Sequence, residues 1–402
     1  MLYAAIDWAT EHHDITVLYP DGREALTVRI SHSGEGFQTL KKRLESLGVP
    51  LSEVSVAVEM HDGPLVLWLL DQGLRVYGLN PRMAEHARDR LSPTGAKDDA
   101  RDTRALAEFL RMNEARLRPL QPQVPATALM RHLVRLRESL VQDRTTQKQR
   151  LIGHLQPYAP EITGLLDDLS TPWNLQLLLA YPTMKRLRAA KPSSLRSFAH
   201  EHRMAGKTFR KLVEALRQPP VPVPDYLDEP HAAEVTVRAQ MIQQLDAAIR
   251  DLDRKLEDLI SKHPDGNILD SLPCQGTSTV SAIWSGLEEG AKMFRSADEL
   301  AAHWGAAPVT LQSGRRKSVR HRKACDHTLR QALLCFSRIT ARRENCWAHD
   351  YYRQKRTEGK GHWGALRCVA RKWLRILWTL FMTQTPYDES RVRRMEHAPA
   401  TV

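Results

Sequence analysis

Residues Gly95 to Glu108 read GAKDDARDTRALAE, and this stretch has the pattern of an opening helix. Asp99 and Asp102 stand three positions apart, so a helix puts them on one face, with Asp98 beside them and Lys97 just ahead. Carboxylates packed into one turn repel unless a cation joins them. Acids in a first turn also suit the helix dipole, so capping and cation binding both fit the stretch taken alone. Two further acids complete a candidate set: Asp7, inside the apolar run LYAAIDWA, and Glu59, which ends VSVAVE. Each reads as a carboxylate presented on or at the end of a buried strand.

Working outward, residues 2–8, 13–19 and 24–30 have the composition of strands, with Pro20-Asp21-Gly22 turning the chain between the second and third. Phe37, Leu40, Leu44 and Leu47 follow at helical spacing and Gly48 stops them. A strand at 54–58, a helix from Pro64 to Gln72, a strand at 74–79 and a helix from Pro81 complete the order βββαβαβα. That is the order of the RNase H-like fold, in which the first and fourth strands each bring a carboxylate to one edge of a mixed sheet.

Beyond Ala126 the pattern becomes long helix. Leu129, Leu133, Leu136 and Leu140 make one apolar stripe, and Ile242, Leu245, Ile249, Leu252, Leu256 and Leu259 make another. These two helices are expected to form a coiled coil, antiparallel within the chain or between protomers. Between them, Pro157, Pro160, Pro172, Pro182 and Pro192 break the chain into short helices, and PPVPVP at 219–224 reads as a stiff linker. SLPCQGTSTVSAIWSGL, from Ser271, resembles a helix-hairpin-helix opening, with Gly276 freeing backbone amides for a phosphate. Further on, Gln312-Ser313-Gly314 reads as a loop, followed by Arg315, Arg316, Lys317, Arg320, His321, Arg322 and Lys323. A basic run of that density matches a phosphate backbone better than solvent. His61, His321 and His327 have no metal-ligand spacing and read as surface or phosphate-contacting residues.

Composition supports a nucleic-acid partner. The 402 residues carry 59 Lys and Arg against 47 Asp and Glu, a formal charge of +12, and a basic surface of that size favours a polyanion. The five cysteines lie in the last third without a CxxC pair, which supports neither a disulfide framework nor a zinc site and fits a reducing cytoplasm. No signal peptide is legible, and no apolar run is long enough to span a bilayer.

Carboxylates converging without His or Cys favour a hard cation, Mg²⁺ or Mn²⁺, and two such ions can clamp the attacking and leaving oxygens of a phosphodiester. Ser313, flanked by glycine and arginines, is a candidate nucleophile toward phosphate; its plainer role is a turn or phosphate-contacting serine.

AIDWA, AVEMH, GLNPRMAEHAR and KDDARDTRALA together resemble the DEDD RuvC-like domain of the bridge-RNA-guided transposases, the insertion-sequence family "one-ten". LPCQGTSTVSAIWSGL, AAHWGAAPVTLQSG and LRQALLCFSR resemble that family's C-terminal transposase domain, in the right order. The resemblance implies an α/β plus α architecture. An RNase H-like (RuvC-like) domain would occupy 1–120, a helical coiled-coil and linker region 121–265, the mainly helical transposase domain 266–385, and a flexible tail 386–402. It implies a recombinase that excises and inserts a mobile DNA element. Asp7, Glu59, Asp99 and Asp102 would hold Mg²⁺, with Ser313 attacking a DNA strand to leave a phosphoserine link. A noncoding bridge RNA would pair with donor and target DNA, and acids and serine would come from different protomers of a homo-oligomer, in the bacterial cytoplasm at the nucleoid.

The chain departs from the family pattern at three places. Asp62, within Met60-His61-Asp62-Gly63, competes as a ligand; Ser318 is a second candidate nucleophile; and Asp98 competes with Asp99, although the Lys97 register favours Asp99. A RuvC-like nuclease that activates water, with Ser313 only gripping phosphate, is the rival reading, and a binding protein with decayed acids is the third.

Overall fold

The computed structural model describes residues 1–59, 63–79, 83–87, 99–121, 124–166, 169, 171–274, 276–313 and 316–397. Two compact units are present. The first comprises Met1–Thr127, Gly286–His303 and Leu377–Met382, and the second Ala128–Ser285, Trp304–Ile376 and the chain from Thr383.

The first unit is built on five strands: β1 (Leu2–Trp8), β2 (His12–Leu18), β3 (Glu24–Ser31), β4 (Val54–Val58) and β5 (Arg75–Gly78). They lie in the order β3-β2-β1-β4-β5. β1 pairs antiparallel with β2 and β2 with β3, whereas β4 runs parallel to both β1 and β5. This is the mixed sheet that the sequence order predicts.

Alternation along the strands separates two cores. Leu2, Ala4, Ile6, Val54, Val56 and Val58 pack on one face with Leu40, Leu44 and Leu69 of the Gly34–Glu45 and Pro64–Asp71 helices. On the opposite face Ala5 and Ala57, both fully buried, meet Leu106, Ala107 and Leu110 of the Asp99–Asn113 helix. Alanine at the two central strand positions lets that helix lie close to the sheet. Its first turns are tied down by a buried hydroxyl pair, Thr16 Oγ1 to Thr103 Oγ1 at 2.7 Å. Beyond its last turn, Glu114 accepts from Ser55 Oγ at 2.6 Å and Tyr77 Oη at 3.0 Å. Burial, reinforced by the Glu114 carboxylate, pushes the Tyr77 phenol up to about 12, so it stays a donor.

In the second unit two long helices, Pro125–Tyr158 and Asp228–Ser261, run antiparallel. Arg137 binds Asp253 at 2.6 Å, Arg144 binds Asp246 at 2.8 Å, and His154 Nδ1 lies 3.2 Å from Glu234. Partner numbers fall on one helix as they rise on the other, which is the antiparallel register. Of the stripe expected on the second helix, Ile242, Ile249, Leu252 and Leu256 are buried. The stripe expected on the first helix is borne out in part: Leu133 packs on the seam and Leu140 is half-buried, but the other two leucines are not. Leu129 and Leu136 are 48% and 50% exposed, and Met130 and Val134, one residue later and two earlier, fill the seam with Leu256 and Ala282.

The prolines of the 156–230 region have a structural role. Pro160, Pro172 and Pro192 each stand in the first turn of a helix, where the fixed φ suits the start and the missing amide costs nothing. The helices Pro160–Thr163, Pro172–Ala180, Met184–Ala189, Pro192–Glu201 and Gly206–Arg217 close a core of their own around Leu166, Leu178, Leu187 and Leu212.

Nearer the C-terminus, Trp373 on the His362–Thr383 helix is fully buried, edge-on to Phe336 at 4.9 Å and donating its indole N–H to Thr340 Oγ1 at 2.8 Å. The stretch from 386, expected as a tail, includes the helix Glu389–His397. The Glu389 carboxylate accepts the backbone N–H of Trp347, and Tyr387 stacks 5.3 Å from Trp373. All five cysteines are free.

Candidate functional site

Strand register places the acids. Ile6 pairs with Val58 in the parallel β1–β4 ladder, so Asp7 and Glu59 are neighbours one position further along. Counting by twos from Ala5 and Ala57 puts both on the face covered by the Asp99–Asn113 helix. On that helix Asp102 precedes Leu106 by one turn, and Leu106 lies against Ala5 and Ala57. Asp7, Glu59 and Asp102 therefore share one face and one end of the sheet, and all three are half-buried. Asp99 opens the helix one turn before Asp102, and only its backbone is described. Asp62, His61, Lys97 and Asp98 lie outside the described residues.

Among the described residues no three His, Cys, Asp or Glu side chains meet closely enough to hold a metal ion. Asp7, Glu59 and Asp102 each engage other protein groups. An all-carboxylate donor set at one sheet end suits a hard divalent cation, which would draw these side chains the remaining distance.

A further acid joins them. Asp14 on β2 stands directly opposite Asp7 in the antiparallel ladder, on the same face. Like charges opposed in this way repel. Arg29, the cross-strand partner of Asp14 on β3, answers with two hydrogen bonds of 2.8 Å to its carboxylate. The three-residue link Ala9 to Glu11 sets the pairing of Asp7 with Asp14, so the signal was present in the sequence.

His13, on the other face of β2, is fully buried. Its Nε2 lies 2.8 Å from His32 Nδ1, and its ring packs against Phe37. Burial first, then the neighbouring His32 and His12, push its pKa down to about 4.

In the second unit the basic run is a hairpin, correcting the expected loop. β6 (Val309–Ser313) pairs antiparallel with β7 (Arg316–Arg320), and Ser313 is the cross-strand partner of Arg316 with two residues between them. The alternation of Val309, Leu311 and Val319 with polar residues carries strand character through the basic segment, and Gly314-Arg315 fits a two-residue connection. Gly314 and Arg315 lie outside the described residues, and Ser313, Arg316 and Lys317 are described by backbone alone. Ser313, Arg316, Ser318 and Arg320 fall on one face of the hairpin by register, and Lys317 on the other. Arg320 and Lys323 are exposed and Arg322 half-buried. From Ala301 to Lys323 the sequence holds six Lys or Arg and no acid, so the segment carries a block of positive charge. His321 and His327 flank Arg330, at 3.4 and 2.8 Å. Burial, then Arg367 and Arg330, lower the pKa of His321 and favour its neutral ring.

Gly305 braces the start of this region. Its φ of +69° is left-handed, and a Cβ there would lie 2.6 Å from Cys325 Sγ. Gly276, by contrast, precedes the Thr277–Met293 helix with only ordinary contacts around it, so nothing in its packing demands glycine.

Comparison with known proteins agrees with both halves. Residues 4–160 match a transposase family model, the IS110-type DEDD domain, and residues 266–353 match the Transposase IS116/IS110/IS902 family. A Sinorhizobium fredii protein named as transposase y4uE is 31% identical over 204 residues, 50% of this chain and 57% of that protein. A Streptomyces coelicolor protein named as the mini-circle transposase for IS117 is 27% identical over 405 residues, covering 97% of this chain and 96% of its own. The insertion element IS900 42 kDa protein of Mycobacterium paratuberculosis is 27% identical over 400 residues, 96% of this chain and 97% of that protein.

Proposed function

Because the chain belongs to the IS110/IS116/IS902 transposases, carrying their DEDD domain at 4–160 and their second family domain at 266–353, we propose that it cuts and rejoins the DNA of an insertion element through a serine-linked intermediate. The observation that carries this reading is that one chain holds both a sheet-end acid set, in its first unit, and a serine opposite Arg316 by strand register in an acid-free basic hairpin, in its second. Asp7, Glu59, Asp99 and Asp102 hold a divalent cation, Mg²⁺ or Mn²⁺, which when bound neutralises phosphate charge at the scissile bond. Arg316, Arg320, Arg322 and Lys323 grip the strand on either side of it, with Arg315 and Lys317.

In this reading the Ser313 hydroxyl oxygen forms a bond to phosphorus, and the bond from phosphorus to one DNA oxygen breaks. The serine proton passes through solvent to the departing DNA oxygen, which leaves as a free hydroxyl. Attack by the hydroxyl of another strand on the phosphoserine joins the new DNA and returns the serine. A noncoding bridge RNA selects donor and target by base pairing, and a homo-oligomer supplies acids and serine from different protomers. The exposed Leu129 and Leu136 on the long helix supply apolar surface for such an assembly. The site of action is the bacterial cytoplasm at the nucleoid. No helix among the described residues is long and apolar enough to cross a membrane.

The test is to load the protein with RNA from its flanking DNA, add donor and target DNA with Mg²⁺, denature, and probe for DNA covalently bound to protein. An adduct in wild type that Ser313→Ala abolishes supports the serine route. An adduct that survives Ser313→Ala and disappears in Ser318→Ala moves the nucleophile to Ser318. Cleavage without any adduct replaces this route with a metal-dependent nuclease in which Ser313 contacts phosphate, and Asp99→Asn cutting as well as wild type would overturn both.

A further inference from the structure

Arg330, in the first turn of the His327–Thr340 helix, is a half-buried guanidinium held by three uncharged groups. Its Nη1 donates to His321 Nε2 at 3.4 Å and to Cys325 Sγ at 3.3 Å, and its Nη2 donates to His327 Nδ1 at 2.8 Å. A guanidinium only donates, so each ring presents an unprotonated nitrogen and both imidazoles are neutral. The Cys325 thiol gives its own proton toward the Lys323 carbonyl at 3.6 Å, so it accepts as a thiol. The aliphatic arm packs on Gly305, where a Cβ would come within 3.2 Å of Arg330 Cδ. Arg330 is thus clamped while its charge stays uncompensated. The histidines expected as surface or phosphate contacts form the clamp.

Arg367, on the His362–Thr383 helix, is close by. Burial and then the charges of Arg367 and Arg330 lower the pKa of His321, and among the described residues no carboxylate acts on that ring. Among those residues neither arginine has an ion pair, and half-buried Arg367 has no hydrogen bond. The neighbouring acid, Asp326, caps the helix by accepting the Leu329 amide at 2.9 Å. Two guanidiniums beside one neutral ring repel each other, and an anion shared between them relieves that. Phosphate suits the remaining N–H forks.

The place in the chain selects which phosphate. His321 directly follows Arg320, the last residue of β7. Strand rise puts Arg320 about 13 Å from Arg316, the partner of Ser313. An anion bound beside His321 is therefore at the foot of the hairpin and is not the phosphate that Ser313 attacks.

We propose that Arg330 and Arg367, with His321 and His327 holding Arg330 in place, bind a second backbone phosphate of the nucleic acid that the hairpin grips. The proposal rests on the reading of the hairpin as a nucleic-acid interface. DNA and the bridge RNA are two sources of the same phosphodiester, and the test separates them.

The experiment scans the backbone with neutral linkages. Full-length protein carrying RNA from its flanking DNA is bound to donor and target DNA in which one phosphate at a time is replaced by an uncharged methylphosphonate, and the RNA is scanned in the same way. At one linkage, neutralisation that weakens wild type about tenfold should cost Arg367→Gln nothing further, because the contact is already gone. The molecule carrying that linkage is the source of the phosphate. Arg367→Gln removes no protein contact, so it reports on folded protein. Arg330→Gln should silence the same linkage, and Arg330→Lys, with charge but no fork, should restore part of the sensitivity. Replacing Arg320, Arg322 and Lys323 with alanine should silence other linkages and leave this one. If that triple variant silences linkages and Arg367→Gln silences none, the proposal is overturned and the hairpin reading stands; if neither silences any, both fall. Binding by Arg367→Gln that weakens evenly at every linkage also overturns the proposal, since it marks a general charge effect.

Discussion

Replacing Thr103 with valine tests how the acid set is held in place. The hydroxyls of Thr103 and Thr16 meet at 2.7 Å, and both residues are fully buried. Valine preserves the shape of the helix side chain but leaves Thr16 Oγ1 without this partner and without water. An unsatisfied buried hydroxyl costs about 1–3 kcal/mol, which corresponds to roughly a five- to 150-fold rise in local opening. A chain of two compact units need not unfold in one step, so the fitting assay is native-state hydrogen exchange at the Asp99–Asn113 amides. Thr103→Val is expected to accelerate exchange there by that factor, and Thr16→Val by less, because Thr103 keeps a further contact. The double variant, with both hydroxyls gone, is expected to lie at least about 1 kcal/mol closer to wild type than the two single effects added together. Additive effects, or unchanged exchange in Thr103→Val, would refute the claim that this contact seats the helix.

Acid should loosen the first unit through His13, whose ordinary pKa of 6.5 is pushed down to about 4 in the fold. The unfolded chain binds a proton that the folded one refuses, so the contribution is complete above pH 6.5 and is lost as pH falls toward 4, on the order of 2 kcal/mol; a stability profile of His13→Leu without that slope confirms it. Replacing Arg320, Arg322 and Lys323 together with alanine should lower the slope of log binding constant against log salt for duplex DNA by about 2–3, and an unchanged slope would remove the hairpin from the interface. Gly305→Ala should cost about 1–2 kcal/mol from its left-handed backbone, plus overlap with Cys325. Adding Cys325→Ala should recover only the overlap, as read by thermal melting. Arg29→Ala should leave Asp14 and Asp7 opposed without the guanidinium and lower the melting temperature, with millimolar Mg²⁺ restoring more of it than in wild type.

Most of the first unit was legible because its strands are short, β-branched runs punctuated by turn residues, and because Leu106 and Leu110 repeat at helical spacing. Asp7 and Glu59 could be placed at strand ends for the same reason. Asp14 was passed over because its role depends on which residue faces Asp7 across the ladder, and register belongs to the pair of strands. The leucine stripe on the first long helix misled for a related reason. Leu129 and Leu136 have the heptad spacing, but the partner helix meets Met130 and Val134, and periodicity does not fix rotation about the helix axis. The basic hairpin was hidden by charge: arginines and lysines disguise the alternation of Leu311, Ser318 and Val319 that makes it a strand pair. In the proline-rich region each proline was read as a break, whereas Pro160, Pro172 and Pro192 mark beginnings.

The two long antiparallel helices have a mechanical consequence. Each has 34 residues, which at 1.5 Å per residue makes a rod about 50 Å long. Arg137–Asp253 and Arg144–Asp246 brace the pair at intervals, while the core around Leu151, Leu166 and Leu187 sits at its far end. Such a rod magnifies small rotations: a tilt of about 10° at one end carries the other through roughly 9 Å, given that length. The helical cluster at the tip would therefore travel about two to three base-pair steps of roughly 3.4 Å in response to a shift at the base too small to disturb the packing there.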